Sequence, residues 1–238
     1  MAQPWHSPLG AAPEPGQPSA GGDVSGATVP PVDVMPLDAP RADAVGLLPG
    51  STTGLPAGLW ARSRAADLIA AFGALPDTPL PAIQALYYTL LLAEADPPTD
   101  AEDDSAFLRA RLDALRRFGA VEPALALVQR AGPAVPGLFD AWMDLSLLTG
   151  QEDGPCAALS RDPALSSSYA ARVFCLARGG DWATAALVLD TAAATGLLTP
   201  HEEQLLVLFL NPELIEELVP LAPPREMTPL LFRLYEAV

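Results

Sequence analysis

The sequence predicts an all-α fold, a stack of antiparallel helical hairpins behind a disordered tail, and three observations carry that reading. Half of the residues are hydrophobic but only 6% are aromatic, so small aliphatic side chains must build the core. Ala and Leu supply that mass with 43 and 39 residues; both are strong helix formers, and the residues that favour strands are scarce. From about residue 57 onward, apolar residues recur at three- and four-residue intervals, with Gly or Pro at the ends of the runs.

Residues 1 to 50 hold ten Pro and seven Gly, including Pro30-Pro31 and Gly21-Gly22, with few large apolar residues to offset the entropy of ordering. The expected organisation is a disordered or polyproline-like tail over 1–55 and a helical domain over 56–238. Two apolar pieces of the tail, Val32 to Met35 and Val45 to Leu48, read as linker rather than as docking segments.

The helices follow in order. Leu59, Trp60, Leu68, Ile69 and Phe72 mark a first helix that stops at Gly73. A second opens near Pro81 and carries Ile83, Leu86, Tyr87 and Leu90 to Leu92. After the acidic loop from Pro97 to Asp104, a third sets Leu108, Leu112 and Leu115 on one stripe and ends at Phe118-Gly119. Pro123 opens a fourth. Leu138, Trp142, Leu145 and Leu148 give the face of a fifth that stops at Thr149-Gly150, and a shorter segment with Cys156, Ala157 and Leu159 follows.

Another helix begins near Ser168, carries Tyr169, Val173 and Leu176, and ends at Gly179-Gly180. Its partner bears Trp182, Ala185, Ala186, Leu189 and Ala193. Thr199, Pro200 and Glu202 form a start signal in which Thr is the cap and Glu closes a capping box, and the apolar run Leu205 to Leu210 behind it is expected to be buried. The last helix, Thr228 to Val238, shows Leu230, Leu231 and Leu234 on one face with no cap after it. Two readings of that end stay open, a truncated repeat array or a face that docks elsewhere.

Gly119, Gly150 and Gly180 fall 31 and 30 residues apart, and Asn211 comes 31 residues later. Gly and Asn tolerate the left-handed conformation that ends a helix, so the spacing implies a recurring helix, turn, helix unit. Gly119 to Ala131 aligns without gaps on Gly180 to Ala192. Both segments carry a Gly, a bulky residue two further on (Val121, Trp182), then Ala (Ala124, Ala185), then Ala again (Ala131, Ala192).

In these residues the stretch from 105 to 211 resembles a tetratricopeptide repeat protein. The resemblance implies a right-handed α-solenoid whose surface binds other proteins. The pattern departs from the family at Leu112 and Val173, which replace its first-helix glycine, and at Glu152 and Pro155, which take the bulky and Ala positions of the middle copy. The Pro-rich lead-in, the Ala/Leu helices and the turn from Arg178 to Trp182 are also similar to Ala-rich exported proteins of alphaproteobacterial type.

Charge and residue usage narrow the function. The net charge is −16, with 29 acidic residues against 13 basic ones, all of them Arg. Nucleic-acid binding is disfavoured by that excess, and without Lys there is no phosphate-loop lysine and no Schiff base. His6 lies in the tail and His201 in a first helical turn, neither tied to a nucleophile by a motif. The acidic run Asp100, Glu102, Asp103 and Asp104 lacks the spacing of a calcium loop and reads as helix-capping charge. The expectation is a non-enzymatic chain with no catalytic residue, metal or cofactor. No apolar run reaches the length of a membrane-spanning helix.

Cys156 and Cys175 lie on segments read as neighbouring helices, so a disulfide is permitted, with two buried thiols as the alternative. A periplasmic or otherwise exported location is favoured over a cytoplasmic one. Candidate partner-binding residues are Arg109 and Arg116, which share a helix face, with Trp142, Tyr169 and Trp182 where stacked hairpins line a groove. The expected function is a scaffold or adaptor for other proteins, such as a component of an envelope assembly of the flagellar-motor or secretion type. The alternative is a helical accessory domain of a cell-wall-acting enzyme whose catalytic module lies outside this chain.

Overall fold

A computed structural model describes residues 41–102, 105–217 and 222–238. The expected disorder of residues 1 to 40, and Asp103 and Asp104 of the acidic loop, lie outside the described residues.

Among the described residues eleven α-helices follow one another: α1 (Gly50–Thr53), α2 (Ala65–Gly73), α3 (Pro81–Leu92), α4 (Ala106–Arg117), α5 (Val121–Ala131), α6 (Pro136–Thr149), α7 (Asp153–Arg161), α8 (Tyr169–Arg178), α9 (Trp182–Ala194), α10 (Pro200–Leu210) and α11 (Pro229–Ala237). No strand occurs among the described residues; Leu48 and Ala93 form an isolated bridge.

Glycine sets the corners. Gly119, Gly150 and Gly180 close α4, α6 and α8 with φ of 73°, 71° and 83°, and a Cβ on any of them would meet nothing within 4 Å. Backbone conformation, not space, therefore demands glycine there. At each corner the next amide reaches five residues back: Ala120 to Leu115, Gln151 to Ser146, Asp181 to Leu176. The pairs α4–α5, α6–α7 and α8–α9 are thus built around the same turn. Asn211 departs from the expectation: its φ is −131°, because Pro212 behind it holds the preceding residue in the extended region.

Two apolar cores meet at α6. The first gathers α2, α4 and α5 around Phe107, Leu108, Leu115, Leu127 and Val128, with Leu138 and Leu145 from α6. Trp60, Phe72 and Phe107 form a trio with centroids 5.8–6.0 Å apart. The second core joins Phe139, Met143 and Leu147 of α6 to α8, α10 and α11. Burying each such side chain contributes roughly 1.5–3 kcal/mol. Leu148, expected on the buried face, is 41% exposed, since Phe139, Met143 and Leu147 take the inward positions. Leu205, Leu206 and Leu208 are buried, and Val207, Phe209 and Leu210 are half-buried. The expected capping box at Thr199 and Glu202 is formed.

Two expectations are corrected near the start. Leu59 and Trp60 lie in turns and not in a helix; α2 begins only at Ala65, whose amide donates to Asp100 Oδ1 at 2.9 Å. An acid of the expected cluster therefore does cap a helix, α2. Residues 41–55, assigned by the sequence to the tail, are ordered against the helices. Leu47 and Leu48 donate to the Leu92 carbonyl at 2.9 and 3.0 Å, and Glu94 donates back to Leu48 at 2.9 Å. Gly46 sits so close to the Ala93–Glu94 backbone that a Cβ has no room.

The physical reason for this strap is Arg111, a fully buried cation on α4. Its Nε donates to Leu91 O at 2.9 Å, Nη2 to Ala93 O at 3.0 Å, and Nη1 to Val45 O at 2.8 Å and Asp43 O at 3.2 Å. Burial lowers its pKa to about 10, opposed by the charge of Asp43. A buried guanidinium needs such acceptors, and the strap supplies two of the four.

Candidate functional site

The sequence-predicted candidates separate into core, tie and groove. Arg109 donates from Nη1 to Gly137 O at 3.1 Å, tying α4 to the start of α6. Arg116 lies between Asp113 at 3.6 Å and Asp144 at 3.5 Å. Burial pushes the Asp144 carboxyl up to about 6, with Arg116 opposing the shift and Asp140 and Asp113 adding to it. Both arginines therefore connect α4 with α6.

Trp142 stands at the junction of the two cores, edge-on to Phe139 at 6.0 Å, its Nε1 sealed without an acceptor among the described residues. It also presses on α7, for a Cβ at Gly154 would sit 3.2 Å from its ring. Trp182 is 52% exposed at the start of α9, 6.4 Å from the Phe209 ring.

Tyr169 lines a groove of about 290 Å³ between α7, α8 and α9. Leu159 of α7, Pro163 of the turn that follows it, Cys175 and Leu176 of α8 and Val188 of α9 make the apolar lining; Ser160, Arg172 and Thr184 supply its polar atoms. Arg172 stacks over the Tyr169 ring at 4.7 Å and donates through Nη2 to Pro163 O at 2.9 Å and Ser166 O at 2.8 Å. Ser168 caps α8 by accepting from Ala171 N at 3.2 Å, which sets Tyr169 and Arg172 one turn apart on the same face. Sequence reasoning did not single out Arg172; its spacing of three from Tyr169 was the available signal.

A disulfide between Cys156 and Cys175 joins α7 to α8, with Cα atoms 5.0 Å apart, and so fixes one wall of the groove. Glu152, the departure from the repeat pattern, fixes the other end of α7. It is 1% exposed, and its Oε1 accepts from Arg178 Nη1 at 3.2 Å and Arg233 Nη2 at 3.1 Å. The Arg233 pKa is raised by its hydrogen bonds to Glu236 and Glu152. A larger cavity of about 310 Å³ beside the strap is bounded by Arg130 and Glu94, which pair with each other at 3.7 Å.

Comparison with known proteins finds no matching family model, no similar curated protein and no similar solved structure.

Proposed function

We propose that the chain is a non-enzymatic scaffold of tetratricopeptide-like type, a right-handed stack of hairpins that docks other proteins on the face formed by α7, α8 and α9. The observation that carries the reading is the groove there, apolar along its floor and fixed by a disulfide and by the Glu152 ion pairs. The shared corners at Gly119, Gly150 and Gly180 support the repeat. A disulfide supports residence in an oxidising compartment and, with it, membership of an envelope assembly.

A photo-crosslinking side chain placed at Ser160, exposed on the groove rim, tests the reading in cells that produce the full chain. The expected result is a small number of discrete protein adducts, absent when the same group replaces exposed Glu122 on α5. Identical adduct patterns from the two positions would refute it.

A further inference from the structure

We infer that the α7–α8–α9 groove takes an extended segment of a partner protein in which an apolar side chain stands next to an acidic one, the carboxylate resting on Arg172. The inference depends on the scaffold reading and narrows it to a partner chemistry. Acidic residues outnumber arginines by more than two to one in this chain, and Arg116, Arg117, Arg130, Arg178 and Arg233 each find a carboxylate. Among the described residues Arg172 makes no ion pair; nor do Arg62, Arg64, Arg161 and Arg225, but those four are exposed whereas Arg172 is half-buried against the groove.

Neutral groups hold it instead. The Tyr169 ring and the carbonyls of Pro163 and Ser166 fix the guanidinium plane, so little ordering entropy remains to oppose binding. Among the described residues Nε is sealed without a partner, while Nη1 makes no hydrogen bond and is not among the sealed atoms. A fixed guanidinium with an open N–H favours a carboxylate, since charge-assisted bonds are the strong ones. Next to it lie Leu159, Leu176 and Val188, which match an apolar side chain. The volume is at the low end for ligand pockets, about 300 Å³, which suits a side chain or two and not a large cofactor. Asp162, the nearest acid in sequence to Pro163, is already engaged, its Oδ1 accepting from Ala164 N at 3.0 Å.

Calorimetric titration of the full chain with two acetylated and amidated heptapeptides tests this: Gly-Ser-Leu-Glu-Leu-Ser-Gly and the same peptide with Gln for Glu. Blocked ends leave the side chain as the sole carboxylate. The Glu peptide is expected to bind about tenfold tighter than the Gln peptide, the scale of a hydrogen bond to a charged group. Arg172→Gln should erase the difference. Because Arg172 also holds two carbonyls, Thr184→Glu is the second variant: it adds an internal carboxylate on an exposed rim position and should weaken the Glu peptide about tenfold with an unchanged circular-dichroism spectrum. Equal affinities, no saturable binding of either peptide, or unaltered binding by Thr184→Glu would each overturn the inference. Discrete adducts at Ser160 alongside any of these results would leave the scaffold reading in place, so the two fail separately.

Discussion

The carboxylate of Asp43 caps a helix that starts far along the chain, its Oδ1 accepting the backbone N–H of Leu108 at 2.7 Å across 65 residues. Leu108 is the third residue of α4, whose own cap position, Ser105, sits at φ 60° and gives the helix no side-chain capping bond. Asp43 thus fixes the first turn of α4, and Arg111, three residues beyond Leu108 and so about one turn further on, takes the carbonyls of Asp43 and Val45 in return. Strap and helix hold each other.

Replacing the cation should release the strap. Arg111→Ala leaves four carbonyls short of a donor and is expected to cost about 3 kcal/mol or more. Urea unfolding measures the loss, and limited proteolysis should cut near Val45 in the variant first. A cost below about 1 kcal/mol, within the range of ordinary surface changes, would show that the strap is held by other means.

Glu152 is the second long-range tie. Glu152→Gln is expected to cost about 2–4 kcal/mol, because two guanidinium groups lose their shared acceptor charge. Combined with Arg233→Ala, the losses should fall short of additive by at least about 0.5 kcal/mol in a double-mutant cycle. Strict additivity would mean that the 3.1 Å contact carries no coupling.

Reduction should soften the groove wall. The bridge closes a loop of 19 residues, for which loop-closure entropy gives about 3 kcal/mol. Thermal unfolding with and without reductant is expected to show a lower midpoint on reduction, reproduced by the Cys156→Ala, Cys175→Ala double variant without reductant. Matching midpoints in all three samples would exclude a stabilising bridge.

Asp144 sets a pH dependence of known sign. Its folded pKa, about 6, lies above the ordinary 3.8, so between those values the folded state holds a proton that the unfolded state has released. This group therefore opposes folding fully above pH 6, and the opposition fades as pH falls toward 4. Relative to Asp144→Asn, the native chain should lose stability as pH rises from 4 to about 6.5, read as diverging urea midpoints. Parallel midpoints would remove Asp144 as the cause.

Glycine substitutions separate conformation from space. Gly180→Ala forces a side chain into the left-handed region and is expected to cost about 1–2 kcal/mol although the site is open. Gly73→Ala, at a helical position with equally open surroundings and no positive φ, should be neutral or gain about 0.5 kcal/mol. The contrast is measured by thermal unfolding of the two variants side by side.

Local signals explain which features were readable in advance. Gly119, Gly150 and Gly180 announce their corners because a left-handed φ is a property of one residue, and the Thr199 capping box spans only four. Cys156 and Cys175 were placed on neighbouring helices by the turn between them. Arg111 looked like any surface arginine, because its acceptors at 43, 45, 91 and 93 are distant in sequence. Trp60 read as helical because it is apolar, yet it is buried from a turn, against Phe72 and Phe107. In the groove, Tyr169 was legible as an aromatic candidate; Arg172 was not, since its lack of a carboxylate emerges only once every neighbour has a position.

The Glu152–Arg233 pair also bears on biosynthesis. Arg233 follows Glu152 by 81 positions, so during synthesis the carboxylate first gains Arg178 and lacks its second cation until α11 is polymerised. The strap, α3 and α4 lie earlier and complete their mutual bonds sooner. Vectorial emergence thus favours consolidation of the amino-terminal core first, with the carboxyl-terminal core maturing only after α11 leaves the exit tunnel.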